Sequence, residues 1–243
     1  MKHLNINRFY EKNKKILLKI DGLRPSKSVP RDIIKSISKF KDFYICTKKT
    51  KVTRRMVKED ICQTGDTDVV TTNIRAMTEL RFLKEIMPNV YVFTDRFLEL
   101  INSHKSISSF LIEELSEISK LGDFNMIYNG MICVLREGDV NGKILSFPDS
   151  KNKFYKLVES EDERINYCKM VNEIYGFHGR NKDPEEAGYT PNANYRFITT
   201  LRVMGLVEKK DNNSKIDEYR ITQKGVNILE CIDNKIIYLE NGF

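Results

Sequence analysis

Two stretches of the chain, Asn73-Ile74-Arg75-Ala76-Met77-Thr78-Glu79-Leu80-Arg81-Phe82-Leu83 and Asn194-Tyr195-Arg196-Phe197-Ile198-Thr199-Thr200-Leu201-Arg202-Val203-Met204, share the skeleton N-x-R-x-x-T-x-L-R. Five identities in nine positions point to an internal duplication. In each copy the apolar residues recur at spacings of three and four, as Ala76, Met77, Leu80 and Leu83 and as Phe197, Ile198, Leu201 and Met204. That spacing predicts an amphipathic helix. A short strand follows each helix (Lys84-Glu85-Ile86; Leu206-Val207-Glu208), then a polar turn and a second strand. The turn is Met87-Pro88-Asn89 in the first copy and the longer Lys209-Lys210-Asp211-Asn212-Asn213-Ser214-Lys215 in the second. Thr94 and Thr222 close the second strands, where a hydroxyl can cap the next helix.

Helix, two-strand hairpin, helix is the back half of a winged helix-turn-helix. Upstream apolar positions complete each unit, Ile33, Ile34, Ile37 and Phe40 before the first copy and Ile165, Cys168, Val171 and Ile174 before the second. Between the copies, Ile107 to Lys120 reads as an amphipathic helix, Met126 to Arg136 as a buried helix or strand, and Glu137 to Lys143 as a turn. The fold class expected is α+β, mostly α, with tandem winged helix-turn-helix domains joined by a helical connector. The boundaries expected are a basic amino-terminal arm (1–30), a first winged-helix domain (31–103), a helical or mixed connector (104–160) and a second winged-helix domain (161–243).

The 243 residues carry 41 Lys and Arg against 34 Asp and Glu, a formal charge of +7. The excess is local. Residues 1–60 hold 18 basic and 6 acidic side chains, so the remainder of the chain is net acidic. No run approaches the roughly 20 apolar residues that span a bilayer. The stretch from Met1 to Arg8 lacks the apolar region of a signal peptide, so a cytoplasmic location without membrane association is expected. Five cysteines without a C-x-x-C pair, and three scattered histidines, argue against a disulfide framework and a zinc site.

A winged helix commonly lays its last helix in the DNA major groove while the wing touches the backbone. The polar face of the first helix, near residues 67–83, offers Thr71, Thr72, Arg75 and Thr78. The second, near residues 189–204, offers Asn192, Asn194, Arg196 and Thr199. Arg pairs bidentately with guanine and Asn with adenine, and Thr reaches phosphates or a thymine methyl. Lys48, Lys49, Lys51, Arg54 and Arg55 read as a dense basic loop before the first helix, and Lys209, Lys210 and Lys215 as a basic wing in the second copy. Both are expected to meet phosphates. Double-stranded DNA is thus the partner expected, with no cofactor and no metal. The repeated Arg has another reading, as the holder of a structural carboxylate.

Catalytic motifs are scarce. There is no P-loop, no G-x-G-x-x-G and no H-E-x-x-H. Asp139, Asp149 and Lys151 are the weak candidates for a Mg²⁺-dependent nuclease site. With 34 acidic residues and 27 lysines in the chain, roughly four D/E-x-K triplets arise by chance. Pro148 also disfavours the strand that such a motif needs.

The stretches Asn194 to Glu208 and Tyr219-Arg220-Ile221-Thr222-Gln223-Lys224-Gly225 resemble the recognition portion of type IIS restriction and nicking endonucleases, as do Leu80-Arg81-Phe82-Leu83 and Val92-Phe93-Thr94-Asp95. The resemblance covers most of the chain in architecture, through motifs generic to winged helices. It implies several winged-helix modules with a helical connector, here without a cleavage domain after Phe243. It also implies either a truncated recognition module or a specificity subunit with a separate nuclease or methyltransferase partner. Two other readings stand beside it: a winged-helix protein–protein adaptor of a chromosome-organising complex, and a transcriptional regulator.

Overall fold

A computed structural model describes residues 30, 32–117, 126–142, 144–146, 192–210 and 217–241. The arm (1–30, apart from Pro30), Ile165 to Ile174, Asp149, Lys151 and Lys215 lie outside the described residues. The protein is mostly helical, with small antiparallel sheets. It divides into two compact units, Ser28–Glu114 and one that contains Leu115–Phe243.

The first unit begins with α1 (Ile33–Thr47), whose N-cap Asp32 accepts the amide of Lys35 at 2.8 Å. Ile33, Ile37 and Phe40 recur on its buried face. Lys48 ends the helix in the left-handed region at φ 56°, and the chain turns straight into β1 (Lys51–Thr53). Thr53 caps α2 (Arg54–Met56), which runs into a π-helical turn (Val57–Ile61). The expected basic loop is therefore a helix end, a strand and a helix start. Val52, buried between exposed Lys51 and half-buried Thr53, explains why: its side chain goes into the core and takes the segment into the sheet.

Next come α3 (Thr67–Glu79), β2 (Leu83–Met87), β3 (Val90–Phe93), α4 (Asp95–Asn102) and α5 (Ile107–Ser116). β3 is the central strand, antiparallel to both neighbours, in the order β1-β3-β2. The core gathers Phe82, Phe93 and Phe97, the last two stacked at 4.4 Å between ring centroids. Ser36 of α1 donates to the side-chain oxygen of Asn73 on α3, and the Asn73 amide donates to the Val69 carbonyl at 2.8 Å. Asn73 is a core residue.

The second unit contains α6 (Met126–Asn141), β4 (Ile144–Ser146), α7 (Asn192–Val203), β5 (Val207–Lys209), β6 (Asp217–Ile221) and α8 (Gln223–Asn241). Its sheet order, β4-β6-β5, is again first, third, second. Residues 126–146, expected in a connector, therefore supply a helix and an edge strand to this unit. The predicted turn at Glu137 to Lys143 is also corrected, because α6 continues to Asn141 and the chain turns at Gly142 with φ 66°. Gly138 is buried there, where an added Cβ would lie 3.0 Å from Ile144 Cγ1. Arg136 on α6 is 2% exposed and holds Asp233 of α8, its longer contact at 3.3 Å.

The corner from helix to hairpin has the same hydrogen bonds in both units. In the first, Arg81 N–H donates to Thr78 O (2.9 Å), Phe82 N–H to Met77 O (2.8 Å) and Thr94 N–H to Phe82 O (3.1 Å). In the second, Gly205 N–H donates to Arg202 O (2.9 Å), Leu206 N–H to Leu201 O (2.9 Å) and Thr222 N–H to Leu206 O (3.0 Å). The hydroxyls of Thr94 and Thr222 donate to the carbonyls of Arg81 and Gly205, and accept from the amides of Phe97 and Gly225. Both threonines cap the next helix, as the sequence predicts.

These bonds fix the alignment of the two copies, and it is three residues out of step with the shared skeleton. Arg81 corresponds to Gly205, Met77 to Leu201, Arg75 to Thr199, and Arg196 to the position of Thr72. Burial agrees. Ile74, Ala76, Met77 and Leu80 are buried, as are Ile198, Thr200, Leu201 and Met204, while Thr78 and Arg202 are both exposed. Three residues are close to one helical turn of 3.6, so the apolar stripe overlaps itself in either alignment. The five identities therefore occupy non-equivalent places.

Candidate nucleic-acid interface

α3 begins at Asp66, whose carboxylate accepts the amides of Asp68 (2.8 Å) and Val69 (3.4 Å). A helix amino terminus attracts anions through its unpaired amides. Here a carboxylate already occupies that end, with exposed Asp68 beside it. A polar stripe runs further along the helix. It consists of exposed Thr71 and Thr78, with Thr72 and Arg75 half-buried.

The three threonine hydroxyls of this stripe donate to their own helix: Thr71 to Thr67 O (2.7 Å), Thr72 to Val69 O (2.9 Å) and Thr78 to Ile74 O (2.9 Å). A hydroxyl has one proton to give. These side chains can accept hydrogen bonds and offer their methyl groups, and a donation to phosphate requires breaking a back-bond. Burial pushes the Glu79 carboxyl above the usual carboxylate range, and the charge of neighbouring Arg75 partly opposes that rise.

Arg54 joins the basic segment to this stripe. Its Nη2 donates to Thr71 Oγ1 at 2.6 Å, and its backbone amide donates to the carbonyl of Asn89 in the β2–β3 turn at 2.9 Å. The guanidinium carries five N–H donors in a rigid fork, so one bond to Thr71 orients the others. Exposed Lys51 is the first residue of edge strand β1, and Lys48 and Lys49 precede it, at the end of the strand away from Arg54, where Phe93 N–H meets Thr50 O at 3.0 Å. At about 3.3 Å per residue the cations extend over roughly 16 Å from Lys49 to Arg54. Arg55 points elsewhere, its Nε on both oxygens of Glu59 at 3.0 and 2.9 Å. An exposed ion pair of this kind is weak and exchangeable.

In the second unit, Asn192, Asn194 and Arg196 lie on α7, and their side chains are outside the described residues. Thr199 is half-buried, and Lys209 and Lys210 are exposed at the end of β5. Among the described side chains of this helix the exposed cation is Arg202, its guanidinium 5.8 Å from the Tyr219 ring centroid. Asp139 is exposed in the last turn of α6. Among the described residues no group of three or more His, Cys, Asp or Glu side chains is arranged to hold a metal.

Family models, curated proteins and solved structures give no match to this chain. Nor is any helix among the described residues long and apolar enough to cross a membrane.

Sequence reasoning missed three features of this surface. The Arg54–Thr71 bond joins residues 17 apart and has no local signature. Arg202 was hidden by the alignment of the shared skeleton. The third is the β2–β3 tip, where Ile86 and Met87 are 44% and 62% exposed. Its signal was present, since adjacent Ile86 and Met87 break the alternation of a half-buried strand.

Proposed function

We propose that the protein binds double-stranded DNA sequence-specifically through two winged helix-turn-helix units, as the specificity component of a restriction-type or other DNA-processing system. The wing of the first unit is the β2–β3 hairpin, and α3 and α7 are the helices that enter the major groove. Support for the architecture comes from the succession α1, β1, α2, α3, β2, β3 and from the first-third-second strand order in both units. The observation that carries the function is Arg54, held by Thr71 on the polar stripe of α3 and continuous with Lys51, Lys49 and Lys48.

In this reading α3 presents Arg75 and the methyls of Thr71 and Thr78 to base edges, where Arg suits guanine and a methyl suits thymine. Phosphates on either side meet Arg54 and the lysines, releasing counterions. Asp66 and Asp68 repel phosphates from the amino end of α3, so its middle and carboxyl-terminal turns make the contact. α7 carries Arg196 and Thr199 at the helix positions that Thr72 and Arg75 hold in α3, so the two units read different bases.

Selection of bound duplexes from a random-sequence pool tests this. The wild-type protein should return a defined motif. Arg75→Ala should relax that motif at particular base pairs, while Lys48→Ala and Lys49→Ala should weaken all sequences alike. A pool that stays random after selection contradicts sequence-specific binding.

A further inference from the structure

The tip of the first hairpin differs from the phosphate-binding wing that basic composition suggests. β2 and β3 pair regularly from Leu83↔Phe93 to Glu85↔Tyr91, and the register then shifts so that Met87 faces Val90. Ile86 is the extra residue of this bulge, and a bulge bends and re-aims a strand. Ile86 and Met87 are both exposed, followed by exposed Pro88 and by Asn89 with φ 61°. No cation lies among these four residues. Asn89 N–H donates to the Glu85 carboxylate at 2.9 Å, so the one acid beside the tip is already engaged. Arg54 is the cation beside the tip, while Lys51 and Lys84 both lie opposite Val92, further back along the hairpin.

Arg54 fixes where the tip lies. Its backbone meets Asn89 and its guanidinium meets Thr71, so the order across this face is the stripe of α3, then Arg54, then the apolar tip. Duplex DNA presents a matching succession of major groove, phosphate strand and minor groove. Apolar wedges of Ile, Met and Pro enter the minor groove of DNA, unstack a base step and bend the duplex.

We propose that Ile86 and Met87 form an apolar wedge that enters the minor groove beside the major groove occupied by α3, with Arg54 on the intervening phosphate strand. This rests on the DNA-binding reading and adds to it a second contact, of different chemistry, and a bent product. An apolar contact removes surface from water without releasing counterions, so it contributes affinity without contributing to the salt dependence.

The test compares the full-length protein with Ile86→Ser/Met87→Ser and with Arg54→Ala. Binding to an end-labelled duplex selected by the wild-type protein is followed by anisotropy across a salt series, and the end-to-end distance by energy transfer. Thermal melting confirms that each variant is folded. The double variant should bind about tenfold more weakly, since each side chain loses apolar burial. Its salt slope should equal that of the wild type, and the bend should be lost. Arg54→Ala should lower the slope by about one. A folded double variant that binds and bends DNA like the wild type overturns the wedge and leaves the DNA-binding reading standing. If the same variant also loses a self-associated form, the tip is a protein contact instead. A wild-type protein that binds no duplex removes both readings.

Discussion

Asn73 stands in the sequence among residues suited to base recognition, and in the fold it joins two helices. It is 6% exposed and accepts the Ser36 hydroxyl across the α1–α3 contact. Removing one partner of a buried hydrogen bond leaves the other unsatisfied. Asn73→Ala should therefore lower stability by about 1–3 kcal/mol in urea unfolding, and with Ser36→Ala it should show a coupling in a double-mutant cycle. Glu79 gives a pH-dependent test at the same scale. Burial raises its carboxyl pKa in the folded state, so folding favours the protonated form. Its contribution to stability is present below the ordinary Glu pKa and is lost as pH rises through the folded value. Glu79→Gln should flatten that loss and stabilise the protein at neutral pH. Arg75→Ala should steepen it by removing the charge that opposes burial. If Arg75→Ala leaves the pH profile unchanged, the Arg75–Glu79 coupling is absent.

At the scale of elements, the helices and hairpins were legible because their periodicity is strong. α3, α7, both hairpins and the capping threonines lie where the sequence puts them, within a few residues. The equivalence of the copies was not legible, since a shift of three residues preserves the apolar stripe and the identities rewarded the wrong register. β1 escaped because three residues carry too little pattern, and the role of α6 and β4 because they pair with partners far along the chain. Gly205 tests the corrected alignment. It has φ 73° where Arg81 has φ 58°, and a side chain there is strained. Gly205→Ala should destabilise by about 1 kcal/mol. Asp233→Ala tests the clasp between α6 and α8 by stranding the buried Arg136. Breaking a fully buried pair costs about 3–5 kcal/mol, and the 39% exposure of Asp233 reduces the loss expected here to about 2–3 kcal/mol.

For the whole molecule, the +7 charge is the sum of a basic amino-terminal quarter and an acidic remainder. The described part of that quarter gives a continuous path from Lys48 to Arg54, ending on the stripe of α3. The sequence identified the cations, but not that Arg55 pairs with Glu59 or that Lys49 and Arg54 lie at opposite ends of a strand. Polyanion binding along such a path is governed by counterion release. The most direct test is the affinity of the full-length protein for a selected duplex between 50 and 200 mM salt, a range over which such binding changes strongly. With Lys48, Lys49, Lys51 and Arg54 on phosphates, the slope of log K against log salt should be about −3 to −4 or steeper. An affinity unchanged across that range, or no binding at its low end, contradicts the account.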